Sequence, residues 1–263
     1  MAGPRVLITN DDGIHAPGIL LLEKVAAAFS DDVWVVAPEA EQSGASHSLS
    51  LADPIRMREA GPRRYAVQGT PTDCVVIACN HLMKERRPDL LLSGINRGLN
   101  LAEDVIYSGT VAAAMEGTLL GIKSVAMSQC FPPGSPVPWE TAERHLPRVL
   151  EQLIGVSLPG GVLVNVNFPP VAPDQVTGLR VTRQGVRTKL EIRADDRIDA
   201  RGFPYFWLKF HREVVDPWSD SDLAAIEANA VSVTPLHLDL TNHEAIPALR
   251  KALAEIRLDS PAG

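Results

Sequence analysis

Three cysteines, Cys74, Cys79 and Cys130, are too few and too unevenly spaced for a disulfide framework or a Cys/His zinc site. They read as buried, reduced thiols, which fits a cytoplasmic protein. No apolar run approaches the length of a membrane span, and the first five residues lack the basic-then-apolar layout of a secretory leader. Neither a membrane partner nor export is therefore expected. Positive charge is short as well: 25 Lys and Arg stand against 32 Asp and Glu, a formal net charge of −7. Such a surface disfavours nucleic-acid backbone and anionic lipid, so an anionic substrate would need positive charge supplied locally, by a metal or a helix N-terminus. Repeats and low-complexity segments are absent.

What is present begins with VLITNDDG at 6–13, a short apolar run closed by turn residues. It reads as a buried strand that delivers two adjacent carboxylates, Asp11 and Asp12, to its C-terminal end, where open α/β sheets hold their chemistry. A helix is predicted over 18–29 and a second strand over 32–37, a βαβ opening that implies a parallel sheet. The loop 38–50, rich in Ser, Gly and Ala, leaves the second strand at the same rim. Short strands are predicted at 54–58 and 64–67, a helix from 69 to about 83, and a third parallel strand at 89–93 followed by a polar loop over 94–104. An alanine-rich helix begins after Tyr107, a strand follows at 122–127, a helix at 140–153 and a strand at 161–168. The rhythm then breaks. Segments 179–183, 189–193 and 205–210 read as strands of an antiparallel excursion within 177–215, before a capped helix from 220, a strand at 231–235 and a terminal helix at 244–256. One domain over 1–263 is expected, with its core at about 1–170 and a C-terminal helical segment at about 220–263.

At the shared rim the loops offer Asp11, Asp12, Ser43 and Asn96, an all-oxygen set that suits a hard divalent cation, Mg²⁺, Mn²⁺ or Ca²⁺. Adjacent carboxylates repel unless one is protonated or a cation lies between them. Taken singly, each residue is better explained by a turn or a cap than as a ligand, and the case rests on the set. Ser108-Gly109-Thr110 ahead of a helix supplies backbone N–H groups, two hydroxyls and the positive end of a helix dipole. Opposite a metal, it reads as a phosphate cradle rather than an ordinary cap.

Together these stretches resemble the SurE family, the stationary-phase survival proteins, which are metal-dependent nucleotidases and acid phosphatases. The resemblance runs through NDDGIHAPGI at 10–19, SGASHSL at 43–49, GTPTDCV at 69–75, SGIN at 93–96, DVIYSGTVAAAMEG at 104–117, NVNFP at 165–169 and SVTPL at 232–236. It implies a Rossmann-like, mostly parallel α/β sheet flanked by helices, with a C-terminal antiparallel hairpin and a terminal helix. It implies one divalent metal per subunit on Asp11, Asp12, Ser43 and Asn96, and a phosphate pocket of Asn100, Ser108, Gly109 and Thr110. It further implies hydrolysis of nucleoside monophosphates and other small phosphate monoesters by a metal-activated water, with Asp11 or Asp12 as the catalytic base. A homodimer or homotetramer, with the hairpin and last helix exchanged between subunits, is implied as well. The chain departs from relatives at Ala102, where a second glycine is common. His15 and His47 lie in the right loops but are not assigned a role.

Other readings fit less well. Phosphatases that pass through a phospho-aspartate usually separate their two aspartates by one residue, and NDDGIHAPG lacks the GxGxxG of nicotinamide enzymes. A nucleotide or metal sensor on the same fold is the surviving alternative, because binding residues alone do not prove turnover.

Overall fold

The computed structural model describes residues 3–187, 189–213, 218–254 and 256. Among the described residues its centre is a nine-stranded sheet whose strands lie in the order 56–61, 64–68, 33–38, 6–9, 90–97, 123–129, 162–168, 230–237 and 178–181. Strands β1 (Val6–Thr9), β2 (Val33–Pro38), β3 (Arg56–Gly61), β4 (Arg64–Gln68), β5 (Leu90–Arg97), β6 (Lys123–Gln129) and β7 (Val162–Phe168) follow in chain order. The run from β4 across β2, β1, β5 and β6 to β7 is parallel, with Thr9 beside Ser93 where β1 meets β5. The β3–β4 pair is an antiparallel hairpin on one edge.

Strands buried on both faces are apolar at every position, and here alternate residues divide between two cores. Val6 and Ile8 face one side with Leu90 and Leu92, against helices α1 (Pro17–Ala27) and α5 (Trp139–Gly155). Leu7 and Leu91 face the other, against α2 (Pro71–Ile77) and α4 (Gly109–Leu119). A four-residue helix, α3 (Asp104–Tyr107), stands just before α4. Thr70 opens α2 with a reciprocal cap, its side chain accepting from Asp73 N while the Asp73 carboxylate accepts from Thr70 N. The three cysteines are buried and unpaired.

Two expectations are corrected. The third parallel strand does not stop at Ser93 but continues to Arg97, so Asn96 stands on a strand end and not in a loop. The register shifts between Ser93 and Asn96, where Gly94 lies so close to β6 that a Cβ would meet the Met127 carbonyl at 2.4 Å; glycine lets the strand slip and go on. The excursion is smaller in strand number and longer in reach. Strand β8 (Gly178–Val181) joins the main sheet, parallel to β11 (Ala230–His237), which itself runs antiparallel to β7. Only β9 (Lys189–Ile198) and β10 (Pro204–Glu213) form the antiparallel arm. The expected end of the excursion at 214–215 lies outside the described residues, as does part of the terminal helix; the helix described there is α7 (Ile246–Leu253), after α6 (Asp222–Glu227). Among the described residues no helix is long and apolar enough to cross a membrane.

Candidate active site

The end of β1 fixes the first carboxylates. Asn10 Nδ2 donates to the Gly13 carbonyl at 2.9 Å, closing the turn, and Gly13 takes a φ of +99° that L side chains rarely adopt. Asp11 is thereby pressed against the first turn of α4 and is only 5% exposed. A Cβ on Gly109 would lie 2.9 Å from the Asp11 Cβ and 3.1 Å from both its Oδ2 and Pro71 Cγ, so no other residue lets helix and carboxylate meet this way. Thr110 Oγ1 donates to Asp11 Oδ1. Burial raises the Asp11 pKa from 3.8 to about 6; the Thr110 hydroxyl and the N–H groups of Asp11 and Thr110 offset part of that, and the Asp12 charge adds to it. Burial also lifts Asp12, opposed by the Arg97 N–H, which donates to Asp12 Oδ2 at 2.8 Å, and reinforced by Glu41.

The serine loop is tied to this turn through its backbone, Gln42 N donating to the Asp11 carbonyl at 2.7 Å. Ser43 lies just beyond, its hydroxyl donating to Glu41 Oε1 at 2.8 Å. Farther along, Ser46 Oγ reaches the Ile106 carbonyl and His47 pairs with Glu116 at 3.0 Å.

Ser108 caps α4 by accepting from Val111 N at 3.1 Å, so the predicted cradle is also a true helix cap. Asn100 is held from below. Its N–H donates to Asn167 Oδ1 at 2.9 Å, its carbonyl accepts from Asn165 Nδ2 at 2.8 Å and Asn167 Nδ2 at 3.1 Å, and its own Nδ2 donates to Ser128 Oγ at 2.9 Å. Just beyond, Ala102 has a φ of +51°, a left-handed turn position that a glycine would adopt at less cost.

Asp11, Ser43, Asn96, Asn100 and Ser108 line one cleft of about 490 Å³, together with Arg97, Asp104, Tyr107, Phe131 and Phe210. Asp12, Gly109 and Thr110 are not among its lining residues; they stand against Asp11 and the end of β5. Neither His15 nor His47 lines it. The carboxylates and the cradle adjoin across Gly109, where the sequence reading had them face each other. Arg97 brings a cation to the cleft, its Cζ 5.2 Å from the Phe131 ring centroid. Phe210 of β10 meets Tyr107 edge-on at 5.4 Å, so the arm forms part of the lip.

The donor set fits a divalent metal. Asp11 and Asp12 form no ion pair with any cationic side chain among the described residues; burial, with the Asp12 charge adding to it, keeps the Asp11 pKa raised, and the Arg97 charge offsets part of the rise at Asp12. Ser43 and Asn96 add neutral oxygens on the same cleft. No group of three or more His, Cys, Asp or Glu suited to a metal occurs among the described residues.

Sequence reasoning missed Arg97, the two asparagines beneath Asn100, and the residues that grip 101–104. The asparagines left a signal: NVNF alternates Asn with apolar residues in a strand buried on both faces, where a polar residue needs a partner. The grip left none, because Arg187 and Asp222 are distant in sequence from the loop they hold.

A family model described as "Survival protein SurE" matches residues 6–191. A protein of Parvibaculum lavamentivorans named 5'-nucleotidase SurE is 55% identical over 254 residues, 96% of this chain and 92% of that protein. One of the same name from Rhodopseudomonas palustris strain BisA53 is 54% identical over 95% of this chain and all of its own. A crystal structure of a SurE protein from Aquifex aeolicus superposes with a TM-score of 0.81 at 37% identity, covering 95% of this chain and 99% of that one.

Proposed function

The chain belongs to the SurE family, and from that premise we propose that it is a divalent-metal-dependent phosphoric monoester hydrolase, splitting nucleoside 5'-monophosphates and, with broad specificity, other small phosphate monoesters. The observation that carries this reading is the meeting, across Gly109, of the cleft-lining Asp11 with the N-terminus of α4, with Asp12 next to it at the end of β5.

Asp11, Asp12, Ser43 and Asn96 would hold the metal, which when bound supplies a Lewis acid for a phosphoryl oxygen and a water of lowered pKa. The first turn of α4 and Ser108 bind the remaining phosphoryl oxygens, with Asn100 fixed alongside. Arg97 draws the dianion into an otherwise acidic molecule. The P–O bond to the ribose breaks as water adds to phosphorus, Asp11 or Asp12 accepts the water's proton, and the departing ribose oxygen takes up a proton from solvent to leave as the nucleoside hydroxyl. Burial holds both carboxyls above their ordinary pKa, which suits proton acceptance nearer neutrality. Tyr107, Phe131 and Phe210 give the nucleoside an apolar wall on which to lie.

Exposed Phe206, Trp207 and Leu208 on the arm support a second copy of the chain as its partner, in a dimer or tetramer with the arm exchanged. Three buried, unpaired cysteines support the cytoplasm as its compartment.

The test is phosphate release from a panel of nucleoside monophosphates and glycerol phosphate by metal-stripped protein, before and after Mn²⁺ or Mg²⁺, beside Asp12→Asn. Metal-dependent release that the variant lacks is expected. Folded protein that releases nothing with any metal would instead be a binding protein.

A further inference from the structure

The loop 101–104 joins Asn100 to α3 and the Ser108 cradle, yet its outer side is held by residues at the root of the arm. Arg187, two residues before β9, has a side chain only 1% exposed. Its Nη2 donates to Asp104 Oδ2 at 2.7 Å and its Nη1 to the Leu101 carbonyl at 3.1 Å and Glu103 Oε2 at 3.2 Å, while its N–H donates to Glu103 Oε1 at 2.8 Å. Gln184 Nε2 donates to the Ala102 carbonyl at 2.9 Å. Asp222 completes the clamp, accepting from Ala102 N and Gly185 N, each at 2.9 Å.

The charges make this more than a structural tie. Asp104 is buried and lines the cleft beside Ser108. A bare carboxylate there would oppose a phosphate dianion, and in a site of low dielectric that repulsion is strong. Arg187 lies against Asp104 and Glu103 together, cancelling much of their field and fixing the turn that follows Asn100.

We propose that Arg187 is a positioning residue for phosphate: it neutralises Asp104 beneath the cradle and couples the root of the arm to the loop that carries Asn100. The proposal rests on the phosphatase reading of the cleft for its role in turnover, but its prediction for phosphate binding stands apart from turnover.

The experiment compares the full-length protein with R187M, R187K, D104N and the R187M/D104N double variant. Binding of inorganic phosphate is followed by calorimetry in the presence of Mn²⁺, and kcat and KM are measured on 5'-AMP. R187M is expected to weaken phosphate binding and raise the KM by about tenfold or more with a smaller change in kcat, R187K to recover part of the loss, and the added D104N to recover most of it. D104N alone is expected to bind phosphate at least as tightly as the parent. Unchanged phosphate binding in folded R187M overturns the proposal, as does a loss that D104N does not recover. Should R187M fail to fold, weaker binding by D104N alone overturns it. A parent that binds phosphate but does not hydrolyse AMP refutes the nucleotidase reading while the binding series still decides the role of Arg187.

Discussion

Replacing Asp11 by Asn should make the metal-free protein more stable and at the same time inactive. Folding carries the Asp11 carboxyl from an ordinary pKa of 3.8 to about 6, so the folded chain holds this proton more tightly than the unfolded chain between those two values. Stability therefore falls as pH rises through about 4 to 6, and above that window the whole cost of the buried charge is present. At about 1.4 kcal/mol per pH unit the cost comes to about 3 kcal/mol. Asn is nearly isosteric, keeps an oxygen for the Thr110 hydroxyl and carries no charge, so it removes that cost. For a chain of this size the gain corresponds to about 5–10 °C in Tm. The assay is thermal and urea unfolding of parent and D11N with a chelator present, at pH 8 and at pH 4. The gap should be near its full size at pH 8 and below about 1 kcal/mol at pH 4, where the parent carboxyl is itself protonated. Saturating Mn²⁺ at pH 8 should stabilise the parent and narrow the gap, because only the parent has its full charge to offer. A variant no more stable than the parent at pH 8, or a gap that does not shrink in acid, would refute the account of Asp11 as a strained buried charge.

Three further outcomes follow from the same geometry. Thr110→Val removes the hydroxyl that eases the Asp11 charge, so the carboxyl should rise further and the stability of the metal-free protein should go on falling above pH 6, which unfolding at half-unit pH steps would show. Gly109→Ala places a methyl group against Asp11 and Pro71; kcat/KM should drop on the order of 100-fold, measured on 5'-AMP, with a stability loss of only about 1–3 kcal/mol by urea unfolding. Asp222→Asn turns one acceptor of a carboxylate that receives N–H groups from Ala102, Gly185 and Leu223 into a donor, which should cost about 1–3 kcal/mol on the same urea assay. Because burial raises the pKa of Asp222, the parent regains stability as this carboxyl takes up its proton in acid, so the gap to the variant should widen as the pH falls.

The parallel core was legible because its strands are short apolar runs broken by turn residues, and the division of Val6 and Ile8 from Leu7 is what a two-faced strand requires. The rim was legible too: Asp11, Ser43, Asn96 and Asn100 leave strands or loops on one edge and reach one cleft. What failed was local geometry set by distant contacts. The extension of β5 past Ser93 depends on Gly94 lying against Met127, and a glycine after an apolar run reads by itself as a stop. Strand β8 looked like part of the arm because its partner, β11, arrives about fifty residues later. Arg187 and Asp222 followed the same rule, since an ion pair across 83 residues or an anchored amide across 120 leaves no pattern that periodicity can detect.

The amides of Asn100 and Ala102 donate to Asn167 and Asp222, side chains on β7 and α6. Their hydrogen exchange should therefore follow the opening of the sheet rather than the fraying of a surface loop, so that both N–H groups stay protected for as long as the strands beneath them. On the proposed reading, a phosphate arriving at this rim would meet a turn whose conformational entropy was already lost when the chain folded.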